Sequence, residues 1–312
     1  MKIIDIAAAL LVALIWGANF TVIELGLQGF PPMLFAALRF ASVALFALLI
    51  LPWPAGHGRD VLAFGTLMGL LQFGLLFFAM DGHADAGTSA LLIQAQVPMT
   101  MLLAVLLIGE RIMISQWVGV AISVLGLALV FLGQSGRIDS LGLVLTLLAA
   151  LSFAGGNLVM RRAKAINGFH LVAWSCLIPP APLLALSFAF EGIDPIGTAA
   201  SAGTIAWLSL GFVALFATLL GFGLWGRLLS VYSTANVLPF AMCVPVFAQI
   251  VAALWLGEPF GTREALVTVV VLTGALLCQR RPIMRESKPP RHAKAGATHA
   301  NSIAAAECRT SI

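Results

Sequence analysis

Long apolar blocks separated by short polar loops organise the chain from its first residues almost to its end. Ten blocks can be delimited, with cores at 6–23, 33–51, 61–80, 87–108, 114–132, 141–160, 171–190, 204–226, 233–256 and 265–279. Most reach the roughly 18 residues at which an apolar run reads as a membrane-spanning helix. The last is shorter and can borrow a turn from the 259–264 loop. Strands of a membrane barrel are alternating segments of about 10 residues, so these continuous blocks, about twice as long, predict helices. The first block follows Lys2. Its apolar stretch exceeds the 7–15 residues or so of a signal peptide and no small-x-small site ends it, so it is read as an uncleaved first span.

Composition narrows the class. Of 312 residues 61% are hydrophobic and 10% charged, with a mean hydropathy of +1.03, whereas soluble domains carry about 25% charged residues. That excludes an ordinary water-soluble fold. The net charge of +4 would by itself suit a nucleic-acid partner, but the placement of the charges argues against one. With the N-terminus in the cytoplasm, Lys2, Arg59, Arg111, Arg161, Arg162, Lys164, Arg227 and the basic tail all face inward, while Arg137 and Arg263 alone fall in outside loops. This is the positive-inside pattern. It predicts a multi-pass membrane protein with both termini cytoplasmic. The stretch from 281 is rich in Pro, Ala, Lys, Arg and Ser and lacks aromatic residues, which predicts a basic, disordered cytoplasmic tail.

Catalytic and metal chemistry find no footing. The cysteines at 176, 243, 278 and 308 have no disulfide or metal-ligand spacing. The histidines at 57, 83, 170, 292 and 299 fall in loops, at a span's edge or in the tail, so no acid–base or metal constellation can be assembled inside the spans. No cofactor is expected. A channel would show rings of charge or a carbonyl filter, and neither is visible. The expected partners are a small-molecule substrate and membrane lipid, not nucleic acid.

The chain also repeats itself. Block four runs into Leu107-Ile108-Gly109-Glu110-Arg111 and block nine into Leu256-Gly257-Glu258-Pro259, each after a proline-interrupted segment at Pro98 and Pro245. The two Gly-Glu pairs are 148 residues apart. Trp16-Gly17-Ala18-Asn19-Phe20 in block one is echoed in block six by Phe153-Ala154-Gly155-Gly156-Asn157. Five helices per repeat is an odd number, so the halves have opposite orientation, the inverted-repeat plan of many secondary transporters. The expected fold is an all-α membrane protein of ten transmembrane helices in two inverted five-helix repeats. Residues 1–133 form the first, 134–280 the second and 281–312 the tail.

In order and spacing these motifs resemble the EamA family of the drug/metabolite transporter superfamily. The stretches that carry the likeness are Trp16-Gly17-x-Asn19-Phe20, Pro31-Pro32, Leu38-Arg39-Phe40, Gln94-Ala95-Gln96, Gly109-Glu110-Arg111, Gly155-Gly156-Asn157, Tyr232 and Gly257-Glu258. The resemblance implies a secondary transporter, not an enzyme, exporting small amino-acid-like metabolites of the cysteine and O-acetylserine type. A broader drug/metabolite or aromatic amino-acid exporter is the alternative. Glu24, where the family often has lysine, and Phe153, where tryptophan is usual, are departures that bear on the substrate.

Polar side chains are costly in hydrocarbon and tend to face a cavity or a neighbouring helix. Amides combine donors and acceptors and could hold a zwitterion without a buried countercharge. The substrate-binding candidates are therefore Asn19, Gln72, Gln94, Gln96 and Asn157, with Trp16 and Trp225 as deep aromatic walls. Each amide could equally serve as an interhelical tie. Gln94 and Gln96 precede Pro98, which bends a helix and frees carbonyls. Arg39 is the one formal charge within the ten cores. It could meet a substrate carboxylate or reach the outer end of its span by snorkelling, the latter being the reading favoured by position.

Overall fold

The computed structural model describes residues 1–80, 83–84, 89, 92–131, 138–163, 166–192 and 194–256, with 262, 266, 269–270, 273–274 and 277. Among them the chain is helical, with one isolated antiparallel bridge between Ala84 and Ile138. Nine long helices follow one another: α1 Ile3–Leu27, α2 Pro32–Ile50, α3 from Gly58 to Met80, α4 Ile93–Ile108, α5 Ile114–Phe131, α6 Ser140–Arg162, α7 Gly168–Glu191, α8 Thr204–Val231 and α9 Thr234–Trp255, with a short helix, Pro195–Ser201, between α7 and α8. Seven of the nine, all but α4 and α5, are long and apolar enough by themselves to cross a membrane among the described residues. The expected tenth block at 265–279 and the Gly257-Glu258-Pro259 motif fall largely outside the described residues, as do Asp81, Asp85, Arg137, Lys164, Arg263 and everything from 278 on. Gly274 is described: it is buried, and a Cβ on it would lie 2.5 Å from the carbonyl oxygen of Gly119 in α5.

Local chemistry sets the ends. Pro32 opens α2 at a position where a missing N–H costs nothing. The Asp139 side chain caps α6 by accepting from the Gly142 N–H at 2.7 Å, and Asn167 caps α7 by accepting from the Phe169 N–H at 3.0 Å. Gly109 ends α4 in the left-handed region at φ 65°, which glycine adopts without a Cβ penalty.

Five helices change winding along their course; α7 ends in a π-helical stretch, Ser187–Glu191. In α3, Gly65–Leu71 is π-helical between α-helical Gly58–Phe64 and Gln72–Met80; in α8, Val213–Phe222 is π-helical. α4 opens with a 3₁₀ turn, Ile93–Ala95, and α9 contains another, Leu238–Cys243. Of the three π stretches, those in α3 and α8 begin at Gly65 and Val213, 148 positions apart, and the last residues of the two 3₁₀ turns, Ala95 and Cys243, are also 148 apart. That is the separation of the two Gly-Glu motifs in the sequence.

The helices pack through small residues. A Cβ on Gly17 of α1 would lie 2.6 Å from Phe247 Cβ and 2.8 Å from the Ala248 nitrogen of α9. One on Gly65 of α3 would lie 2.5 Å from the Ser175 carbonyl oxygen of α7. Such close approach replaces the hydrophobic drive that is missing between helices in lipid.

Charges gather at the helix ends in two groups. At one, Tyr232 donates to Asp5 at 2.7 Å, Arg227 pairs with Asp5 at 3.4 Å, and Glu110 accepts from both the backbone N–H and the hydroxyl of Thr234 while Arg161 approaches it at 3.5 Å. At the other, Glu191 accepts from the Met33 and Leu34 N–H groups at 2.6 and 3.2 Å, and His83 pairs with Asp139 at 2.7 Å. α1 is longer than its predicted core of 6–23 and takes in Asp5 and Glu24. A hydropathy window stops at the first carboxylate, but Asp5, buried at 5% exposure, is held by the hydroxyl and guanidinium donors that α8 and the residue after it supply.

Candidate functional site

Side chains from α1, α4, α6 and α8 converge in the interior. Asn157 of α6 is fully buried. Its Nδ2 donates to Gln96 Oε1 at 2.9 Å and to Thr100 Oγ1 at 3.3 Å, and its Oδ1 accepts from Trp225 Nε1 at 3.1 Å. Thr100 in turn donates to the Gln96 carbonyl at 2.7 Å. Both amide hydrogens and the carbonyl oxygen of Asn157 thus have partners. Gln96 stands where it does because the 3₁₀ turn before it and Pro98 after it set the rotation of α4.

Against this cluster lies an aromatic wall. The Trp16 ring is 5.2 Å from that of Trp225, 4.8 Å from Phe222 and 6.4 Å from Phe153. Trp16 Nε1 donates to the Ala217 carbonyl at 3.0 Å. That carbonyl belongs to the π-helical stretch of α8, where the wider turn leaves carbonyls free for such donors.

A second polar group lies on the far side of Phe222. Arg39 of α2 is 4% exposed and turns toward α3 and α8 instead of reaching for the end of its span. Its Nε donates to Thr218 Oγ1 at 2.6 Å, and its guanidinium carbon lies 4.6 Å from the centre of the Phe73 ring and 5.3 Å from that of Phe40. Thr218 donates onward to the Val213 carbonyl at 2.8 Å, five residues back, a bond that fits the π winding. No carboxylate of the described residues lies within ion-pair distance of Arg39. Phe40, Gly69, Ser175, Cys176, Thr218 and Phe222 line part of a small cavity here, with room for about one water molecule.

Of the eight residues singled out from sequence, the structure brings Trp16, Gln96, Asn157 and Trp225 together and places Arg39 apart. Asn19 and Gln72 each have a buried side-chain oxygen without a partner, and Gln94, at 6% exposure, lies in the 3₁₀ turn of α4 with no side-chain hydrogen bond among the described residues. Thr100 and Thr218 complete the two groups. Thr218 is the one polar side chain in Val213–Phe222, the signal by which it stands out. Trp207 and Trp255 are exposed at 44% and 73%, as suits interface anchors.

Among the described residues, nine long apolar helices that bury amides, indoles and a cation without a carboxylate partner define a multi-pass membrane protein with a polar interior, a build suited to moving a solute. A family model described as the EamA-like transporter family matches the chain twice, over residues 3–132 and 140–279. A Salmonella typhimurium protein named "Probable amino-acid metabolite efflux pump" is 37% identical over 273 residues, covering 85% of this chain and 91% of its own length. Its namesake in Escherichia coli K12 is 36% identical over 277 residues, covering 86% and 93%. A "Probable terminal-alkyne amino-acid exporter" of Streptantibioticus cattleyicolor is 26% identical over 302 residues, covering 91% and 96%. A solved crystal structure superposes with a TM-score of 0.75 over 89% of this chain and 99% of its own, at 16% identity, a likeness of fold. The chain belongs to the EamA-like transporter family. It is a membrane transporter of the export type, not an enzyme.

Proposed function

We propose that the protein exports small amino-acid-like metabolites, of the cysteine and O-acetylserine type, across the bacterial inner membrane by alternating access. In this reading two inverted five-helix halves, residues 1–133 and 134–280, rock about a shared site, with ten spans and both termini cytoplasmic, and 281–312 is a cytoplasmic basic tail. Trp16, Asn19, Arg39, Gln72, Gln94, Gln96, Asn157 and Trp225 supply the substrate site. The observation that carries the reading is the Gln96–Asn157–Trp225 junction, where a helix of the first half meets two of the second in the buried interior. Inverted repeats place their sites at such a junction. The recurrence of π and 3₁₀ windings at a spacing of 148 supports the repeat, and the names of the two enteric relatives support the substrate class. The aromatic wall around Trp16 favours, as a second reading, export of an aromatic amino acid.

Export is tested by overexpression. Internal cysteine and O-acetylserine fall and tolerance to both rises if the first reading holds. Unchanged efflux of both with enhanced efflux of tryptophan or phenylalanine moves the chain to the second. For sidedness, an impermeant thiol reagent applied to intact cells is expected to leave a single-cysteine variant at Cys308 unlabelled.

A further inference from the structure

Two buried groups in the helix bundle lack the partner their chemistry calls for. One is Arg39, a full charge at 4% exposure whose hydrogen bonding stops at Nε and Thr218. The other is Gln72, also at 4% exposure, whose Oε1 has no donor. Gln72 precedes Phe73, the ring beneath the Arg39 guanidinium, and follows Met68 and Gly69 by about one helical turn. Met68 and Gly69 line the small cavity that Phe40 and Thr218 also line.

A buried charge is stable when paired or hydrogen-bonded, and the rings of Phe40 and Phe73 meet that need only in part. The terminal nitrogens of Arg39 present the fork that matches a carboxylate. An unpaired amide oxygen accepts from an ammonium. A cation lacking an anion and an acceptor lacking a donor are together the complement of an amino-acid zwitterion.

We propose that Arg39 holds the carboxylate and Gln72 Oε1 the ammonium of a transported amino acid, in a pocket that expands from the cavity between α2, α3, α7 and α8. Two π-helical stretches, Gly65–Leu71 and Val213–Phe222, both contribute lining residues to that cavity. Mid-helix departures from α winding mark hinges and functional sites. The inference rests on the exporter reading and names which groups read the two charges of the substrate.

The test uses three probes of similar size: L-cysteine, L-cysteinamide without the carboxylate, and 3-mercaptopropionate without the ammonium. Exchange is measured in proteoliposomes with the full chain. The unaltered protein is expected to prefer cysteine over each analogue by about 10-fold or more, the size of one charge-assisted hydrogen bond. Arg39→Met should erase the preference over cysteinamide and keep that over mercaptopropionate; Gln72→Leu should do the reverse; Arg39→Lys should retain part of the first preference. Equal loss of all three substrates in Arg39→Met at normal abundance, with no rescue by lysine, would make Arg39 a helix tie and overturn the proposal.

Binding is read in parallel from the thermal midpoint of the detergent-purified protein. A rise with cysteine that is lost in Arg39→Met supports the pocket even where exchange is absent, so that only the exporter reading then fails. No rise with any probe in the unaltered protein overturns the pocket itself.

Discussion

Asn157 and Arg39 are both buried in the bundle and both polar, yet their surroundings differ in kind. Around Asn157 every side-chain donor and acceptor is used, by Gln96, Thr100 and Trp225. Around Arg39 a full charge has one hydroxyl and two ring faces. A closed network offers an incoming metabolite no free bond in this conformation: the metabolite must exchange for bonds already made. An unclosed one gains from a ligand. Within the proposed site the Asn157 cluster is therefore the part whose bonds tie α4, α6 and α8 together in this conformation, and the Arg39 pocket the part that reads charge.

The sharpest way to break this comparison is to delete the centre of the closed network. Asn157→Leu leaves Gln96 Oε1 and Trp225 Nε1 without partners in a place water does not reach. Unsatisfied buried groups cost about 1–3 kcal/mol each, moderated in bilayers because the groups find other partners; a loss of about 2 kcal/mol is expected. The thermal midpoint in detergent should fall by several degrees, while the preference for cysteine over cysteinamide should persist in the protein that survives. Loss of that preference with the midpoint unchanged would reverse the two assignments.

How much of this the sequence shows follows from what hydropathy measures. It reports depth along the membrane normal, and so it places α2, α6 and α9 to within a few residues of their observed ends, and stops α8 at 226, five residues before Val231. It says nothing about azimuth. The pairing of Gln96 with Asn157, 61 residues apart, and the turning of Arg39 toward Phe73 instead of toward its span's end are rotations about helix axes that no hydropathy window contains. Winding is equally hidden: Val213–Phe222 is apolar except for Thr218, and nothing in that composition separates a π turn from an α turn. The Gly-Glu spacing of 148 equals that from Gly65 to Val213 and from Ala95 to Cys243, whereas the π stretch Ser187–Glu191 has no counterpart at that distance. Asp5 was missed because a carboxylate ends an apolar block; its partners, Tyr232 and Arg227, lie more than 200 residues away along the chain.

A milder perturbation asks whether water access scales the cost of a lost partner, as the comparison requires. Glu191, part-buried at the end of α7, accepts from the Met33 and Leu34 N–H groups and from the Ser187 hydroxyl at 2.6 Å. It caps a helix that has no side-chain cap of its own. Glu191→Gln keeps one acceptor oxygen and loses the charge that favours a helix N-terminus. A destabilisation of about 1 kcal/mol is expected, half that of Asn157→Leu, with substrate preference unaltered. A cost equal to or larger than that of Asn157→Leu would show that charge, not closure from water, decides.

The smallest effect belongs at the exposed end of the series. Asp139 caps α6 in contact with solvent, and its carboxyl is held below the ordinary value near 3.8, first by the Gly142 N–H and then by the His83 ring. A carboxylate whose folded value is depressed adds stability that is present above its unfolded value. That contribution disappears as the pH falls through the lower folded value. Asparagine is nearly as good an N-cap as aspartate, so Asp139→Asn keeps the oxygen that Gly142 uses and removes the titration. At neutral pH the variant's thermal midpoint should lie below that of the unaltered protein by less than in either variant above, and the gap should close in acid. Asp139→Ala, which removes the capping oxygen as well, should keep a gap at both ends of the pH range. A gap for Asp139→Asn that widened on acidification would mean that the neutral acid is the form the fold prefers, contrary to the direction set by the Gly142 bond.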